Sequence, residues 1–180
     1  MAAAEIPWTA IVRLDEVGET GKHVELEASE ATRAALAKPA GVDTVERAVA
    51  WLDLTRRGRD GLRVSGVVRA TVRQACVVTL EPVINQIEEE VDVEFAPAPD
   101  VSALGIETEV VLTQSADERE PLIDGTVDLG ALATEFLILG VDPYPRKPGV
   151  TFEAPPAPAD QVGHPFAALA ALKEKGTVKK

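Results

Sequence analysis

The side chains best suited to chemistry are few, and most are carboxylates or arginines. Zinc needs about four cysteine, histidine or carboxylate ligands brought together. The chain of 180 residues has one cysteine, Cys76, and two histidines, His23 and His164, which lie far apart in sequence. No local spacing builds a metal site, so surface histidines and a packed thiol are expected. Catalysis by Cys76 needs an activated thiolate and a nearby base. Cys76 falls on the apolar parity of its strand, which is the place of an inert thiol. Glu88-Glu89-Glu90 and Asp117-Glu118 offer neighbouring carboxylates. General acid–base work requires a buried acid with a shifted pKa, whereas such runs form solvated faces. No glycine-rich phosphate loop of either common spacing occurs.

The arginines carry more weight. Arg56, Arg57, Arg59, Arg63, Arg69 and Arg73 cluster in a chain with only 18 lysines and arginines. A guanidinium suits bidentate contact with phosphate. The competing role is a cross-strand ladder with Glu88 to Glu94, and Arg69 is assigned to it. Arg56, Arg57 and Arg59 are placed in a turn and are freer to bind. Arg56, Arg57, Arg59, Arg63 and Arg73 are therefore the candidate partner-binding residues. No aromatic residue interleaves with them, so a base-stacking platform is not indicated.

The elements that must hold these groups follow from periodicity. Pro7 to Leu14 reads as a strand with Trp8, Ala10, Val12 and Leu14 on one face. His23 to Leu26 pairs with it after the Gly18 to Gly21 turn. Ser29 caps a helix that runs through Lys38 and stops at Pro39 and Gly41. Val42 to Leu54 fits helical and strand periods alike, and a short helix or turn followed by a strand is expected. From Leu62 to Cys76 the even positions are mostly apolar and the odd ones carry Arg63, Arg69 and Arg73. From Val83 to Phe95 the parity reverses. The two strands should form an antiparallel hairpin in which paired residue numbers sum to an odd value. The register expected sets Cys76 against Val83, Val72 against Ile87 and Arg69 against Glu90. Thr108 to Thr113 reads as a short strand and Gln114 to Glu120 as an acidic loop. Asp128 caps a helix with Leu129, Leu132, Ala133, Phe136 and Leu139 on its buried stripe, ended by Gly140 and Pro143.

Hydrophobic residues make up 46% of the chain and aromatics only 4%, so the core is aliphatic. The net charge of −12 opposes long-range attraction to nucleic acid and favours a basic partner. No apolar run of about 18 residues predicts a transmembrane helix. The N-terminus has no signal-peptide pattern, and a lone cysteine suits a reducing cytosol. Residues 1–152 are expected to form one α+β domain and residues 153–180 a Pro-rich linker with a short C-terminal helix from Pro165 to Lys175. The domain should hold an antiparallel sheet of about five or six strands and two or three flanking helices.

Arg73-Gln74-Ala75-Cys76-Val77-Val78-Thr79-Leu80-Glu81-Pro82 resembles the core motif of the DUF177/YceD family. Many members carry a Cys-x-x-Cys-Leu-x-Pro segment there. This chain keeps Cys76, Leu80, Glu81 and Pro82, with Thr79 at the second cysteine position, which removes any metal pair. Pro121 to Gly130, with Asp128-Leu129-Gly130, and then Asp142-Pro143-Tyr144-Pro145-Arg146-Lys147-Pro148 resemble the alphaproteobacterial branch of that family. Pro7-Trp8 and Pro165 to Lys173 fit it as well. The resemblance implies a cytoplasmic, non-enzymatic factor for large-subunit ribosomal RNA accumulation and ribosome assembly, with no catalytic residues and no cofactor to carry over. Its partner is then ribosomal RNA or a basic large-subunit ribosomal protein, with no membrane or DNA role expected. The alternative from another class is a hydrolase or redox enzyme built on Cys76.

Overall fold

Alternation of apolar and polar residues organises a sheet in the computed structural model, which describes residues 7–97 and 119–152. The elements in chain order are β1 (Ile11–Arg13), β2 (Lys22–Glu27), α1 (Glu30–Ala40), β3 (Thr44–Arg57), β4 (Gly61–Ala75), β5 (Pro82–Pro97), β6 (Arg119–Leu122), β7 (Thr126–Asp128) and α2 (Leu129–Leu139). A five-stranded sheet has the order β2-β3-β4-β5-β6, and β1 pairs with β7 in a separate two-stranded ribbon. The five-stranded sheet is antiparallel except at its edge, where β6 runs parallel to β5. The fold is α+β.

One face of this sheet builds the core. Leu62, Val64, Val68, Ala70 and Val72 of β4 join Ala48, Ala50, Leu52 and Leu54 of β3 and Ile87, Val91 and Phe95 of β5. Helix α1 packs on β3, and α2 packs on β4 and β5. Both helices start with a cap. The Ser29 hydroxyl accepts the Thr32 N–H at 3.1 Å, and Gly41 closes α1 in the left-handed region at φ 66°. Pro39 is accommodated inside the last turn of α1 rather than ending it.

Three local expectations are corrected. His23 to Leu26 belongs to β2, but β2 pairs with β3, and β1 waits for the distant β7. Val42 to Leu54 takes the turn-and-strand form of the expectation: Val42 and Asp43 bend into β3, one continuous strand whose central position makes Val49 and Trp51 apolar on the face opposite the core. The β4–β5 pairs sum to an odd value as the parity requires, but two residues tighter than expected. Ala75 opposes Pro82, Val72 opposes Asn85 and Arg69 opposes Glu88. The cause is a tight corner, in which the Cys76 N–H bonds the Glu81 carbonyl and leaves only residues 77–80 in the loop. Arg119 and Glu120, expected in an acidic loop, lie in β6. The expected strand Thr108 to Thr113 and the linker and helix after residue 152 lie outside the described residues.

Candidate functional site

Two sequence motifs, joined by contacts between residues 66 to 71 positions apart, meet at one corner. β4 ends at Ala75, and the Cys76 N–H donates to the Glu81 carbonyl at 2.8 Å. The Leu80 N–H donates to the Cys76 carbonyl at 2.9 Å. This closes the loop 77–80, and it requires Leu80 to take φ 61°, a conformation bulky L-residues avoid. The chain leaving α2 is then fastened to this loop. The Val77 N–H donates to the Pro145 carbonyl at 2.9 Å, and the Lys147 N–H donates to Cys76 Sγ at 3.4 Å. Lys147 Nζ pairs with Glu81 at 2.9 Å. Beneath them the buried Gln74 amide donates to the Asp142 carbonyl at 2.9 Å and accepts from Asn85 at 2.8 Å.

Cys76 is fully enclosed. The Thr79 side chain, followed by the backbone N–H groups of Lys147, Thr79 and Val78, lowers its thiol from 9.0 to about 6, against the opposing effect of burial. Thr79, at the position of the second cysteine in the motif, thus favours the charged form of the sulfur. The enzymatic reading of Cys76 also needs a base, and none lies beside the sulfur among the described residues. The sulfur faces polar donors rather than a base, and His23 is bonded to Asp53 at 2.7 Å on a different strand. Among the described residues no group of three or more metal-ligating side chains comes together, and no helix is long and apolar enough to cross a membrane.

Asp128-Leu129-Gly130 is equally structural. Asp128 Oδ1 accepts the N–H groups of Gly130 at 3.0 Å, Ala131 at 3.2 Å and Ala10 at 2.8 Å. Leu129 is buried, and a Cβ at position 130 would meet the Trp8 carbonyl oxygen at 2.6 Å. Pro82 opens β5 opposite Ala75.

The arginines are largely engaged. Arg56 lies at the end of β3 rather than in the turn, and donates to the carbonyls of Val17 at 2.7 Å and Leu14 at 2.8 Å. Arg57 also belongs to β3 and pairs with Glu94 at 3.4 Å. Arg63 holds Asp92 through two bonds of 2.6 Å, which pushes the Asp92 carboxyl below its ordinary range. Arg73 pairs with Glu46, the extra residue of a bulge in β3, at 2.7 Å. Arg69 pairs with Glu88, as the ladder reading requires, at 2.9 Å. Arg59, in the β3–β4 turn, has no ion pair among the described residues.

The open face of the five-stranded sheet carries the residues that sequence reasoning missed. Register places Glu25 of β2, Trp51 of β3, Val67 of β4 and Glu90 of β5 on one rung. Trp51 and Val67 are half-buried, and both glutamates are exposed. Among the described residues neither Glu25 nor Glu90 has a cation partner, and Glu27 on the next rung has none either. The Arg69 guanidinium stands 5.8 Å from the Trp51 ring centroid. A hollow of about 130 Å³ lies beside Trp51, lined by Arg47, Val49, Arg69, Thr71 and Gln86. No described helix packs on this face. The signal was present as Trp51 in an apolar run, but only strand pairing assembles the row.

A family model described as "Large ribosomal RNA subunit accumulation protein YceD" matches residues 64–173. The match begins inside β4 and takes in β5, α2 and the fastened corner, but not β2 or β3. No curated protein and no solved structure matches the chain.

Proposed function

This chain belongs to the YceD family of large ribosomal RNA subunit accumulation proteins, and on that premise we propose that it is a non-enzymatic cytoplasmic factor that supports large-subunit ribosomal RNA by holding a basic ribosomal protein. The observation that carries this reading is the disposition of charge. Arg56, Arg57, Arg63 and Arg73 are matched by groups of their own chain, while Glu25, Glu27 and Glu90 are exposed and have no cation partner among the described residues. A net charge of −12 reinforces the preference for a cationic partner. Phosphate binding needs several free Lys or Arg to displace counterions.

Direct contact with ribosomal RNA is the second reading. It is favoured by Arg59, which has no ion pair among the described residues and lines a hollow of about 460 Å³ with Arg57, Asp60, Glu94 and Phe95. A pull-down of the tagged protein from cells, with and without nuclease, separates the two. Capture of a large-subunit ribosomal protein that survives nuclease supports the first reading. Capture that vanishes with nuclease supports RNA contact through Arg59. Enrichment of neither overturns both.

A further inference from the structure

Resting on the reading that the partner is a basic protein, we infer that the rung Glu25–Trp51–Val67–Glu90 seats an extended segment with two cationic residues four positions apart and an apolar residue midway. Adjacent strands lie about 4.8 Å apart, so the three intervals from β2 to β5 set the two glutamates about 14 Å from each other. An extended chain rises about 3.4 Å per residue and sends alternate side chains to one face, so residues i, i+2 and i+4 span the same distance of about 14 Å. Laid across the strands, such a segment puts residue i on Glu25 and residue i+4 on Glu90. Residue i+2 then falls over the seam between Trp51 and Val67.

The chemistry of the row fits this occupant. Its centre is apolar and half-buried, and its ends are exposed carboxylates with no cation partner among the described residues. That is the layout of a small interface, with an aromatic anchor inside and a charged rim outside. On the adjoining rung Glu88 is already matched by Arg69 and does not compete for the ligand's cations. Glu27, exposed beside it, adds to the negative rim. Phosphate would meet two unmatched carboxylates here, so the row selects against RNA.

The test uses the full chain and two synthetic peptides. One carries Arg-Ser-Leu-Ser-Arg at its centre, and the other carries the same residues with the arginines three positions apart, hence on opposite faces. Binding is followed by amide chemical shifts and tryptophan fluorescence. The first peptide should shift the amides of Glu25, Trp51, Val67 and Glu90 and should bind about tenfold more tightly than the second. The double variant Glu25→Gln and Glu90→Gln, both exposed positions, should lose about tenfold in affinity with an unchanged melting curve. Equal binding to the variant, shifts elsewhere, or shifts of these amides by oligouridine instead would overturn the inference. Nuclease-resistant capture of a ribosomal protein that is indifferent to the double variant overturns this site alone. Absence of such capture by the unaltered protein overturns the reading on which it rests.

Discussion

The backbone N–H of Lys147 donates to the sulfur of Cys76 across 71 residues of sequence. The bond is one of several that close the same corner, and it has a measurable signature in the thiol. The Thr79 side chain and the backbone donors hold the folded thiol near 6 against an ordinary value of 9.0.

The sign of the resulting pH dependence follows. A group whose folded pKa is depressed binds fewer protons in the folded state, so stability rises with pH between the two values. Cys76 should add stability fully above about pH 9 and lose it as pH falls through about 6. Melting temperatures of the protein and of Cys76→Ala, measured from pH 6 to pH 9, should diverge with increasing pH. A constant difference would refute the thiolate. Enclosure should nonetheless keep alkylation of the native thiol slow until the corner opens.

Gln74 links both halves of the corner through its amide. Gln74→Ala removes the donor to the Asp142 carbonyl and the acceptor for Asn85. Two polar groups left without partners predict a loss of about 1–3 kcal/mol. Urea denaturation reads the loss, and hydrogen exchange should show residues 142–148 losing protection first.

Gly66 of β4 stands opposite Leu52 of β3. A Cβ there would stand 2.0 Å from the Trp51 carbonyl oxygen, with the backbone at φ 154°. Gly66→Ala should cost about 3 kcal/mol or more, because backbone rather than a flexible side chain must move. Gly41→Ala is the contrast: φ is 66° but nothing lies within 4 Å, so about 1 kcal/mol is expected. Thermal unfolding should rank them in that order.

Asp128→Ala should exceed an ordinary cap deletion. It frees Gly130 and Ala131 at the start of α2 and also Ala10 before β1. A loss of about 2 kcal/mol is expected, at the upper end of the range for caps. Asp128→Asn should recover most of it. Equal losses in both variants would show that the carboxylate, rather than the acceptor geometry, matters.

The parts of the fold legible in sequence were those fixed by local pattern. The β4 and β5 parities, the Ser29 and Asp128 caps and the buried stripe of α2 all follow from neighbours along the chain. The register of β4 against β5 did not, because it depends on Leu80 accepting a left-handed backbone, which residue preference argues against. β3 was ambiguous because Val49 and Trp51 are apolar on the open face, so period-two alternation is blurred. The arginines were visible as a cluster, but their partners Val17, Leu14, Glu46 and Asp92 come from other elements. Trp51 and Glu90 meet on one rung only because two separate pairings align them.

The pairing of β1 with β7 also sets an order of events. β2 to β5 join neighbours in sequence, whereas Ile11 must find Asp128. During synthesis at about 5–20 residues per second, the 117 residues added after Ile11 to reach Asp128 (128 − 11) take roughly 6–23 s to make. The β2–β5 meander can therefore form while the ribosome is still translating, but β1 must wait, unpaired, until β7 emerges from the tunnel.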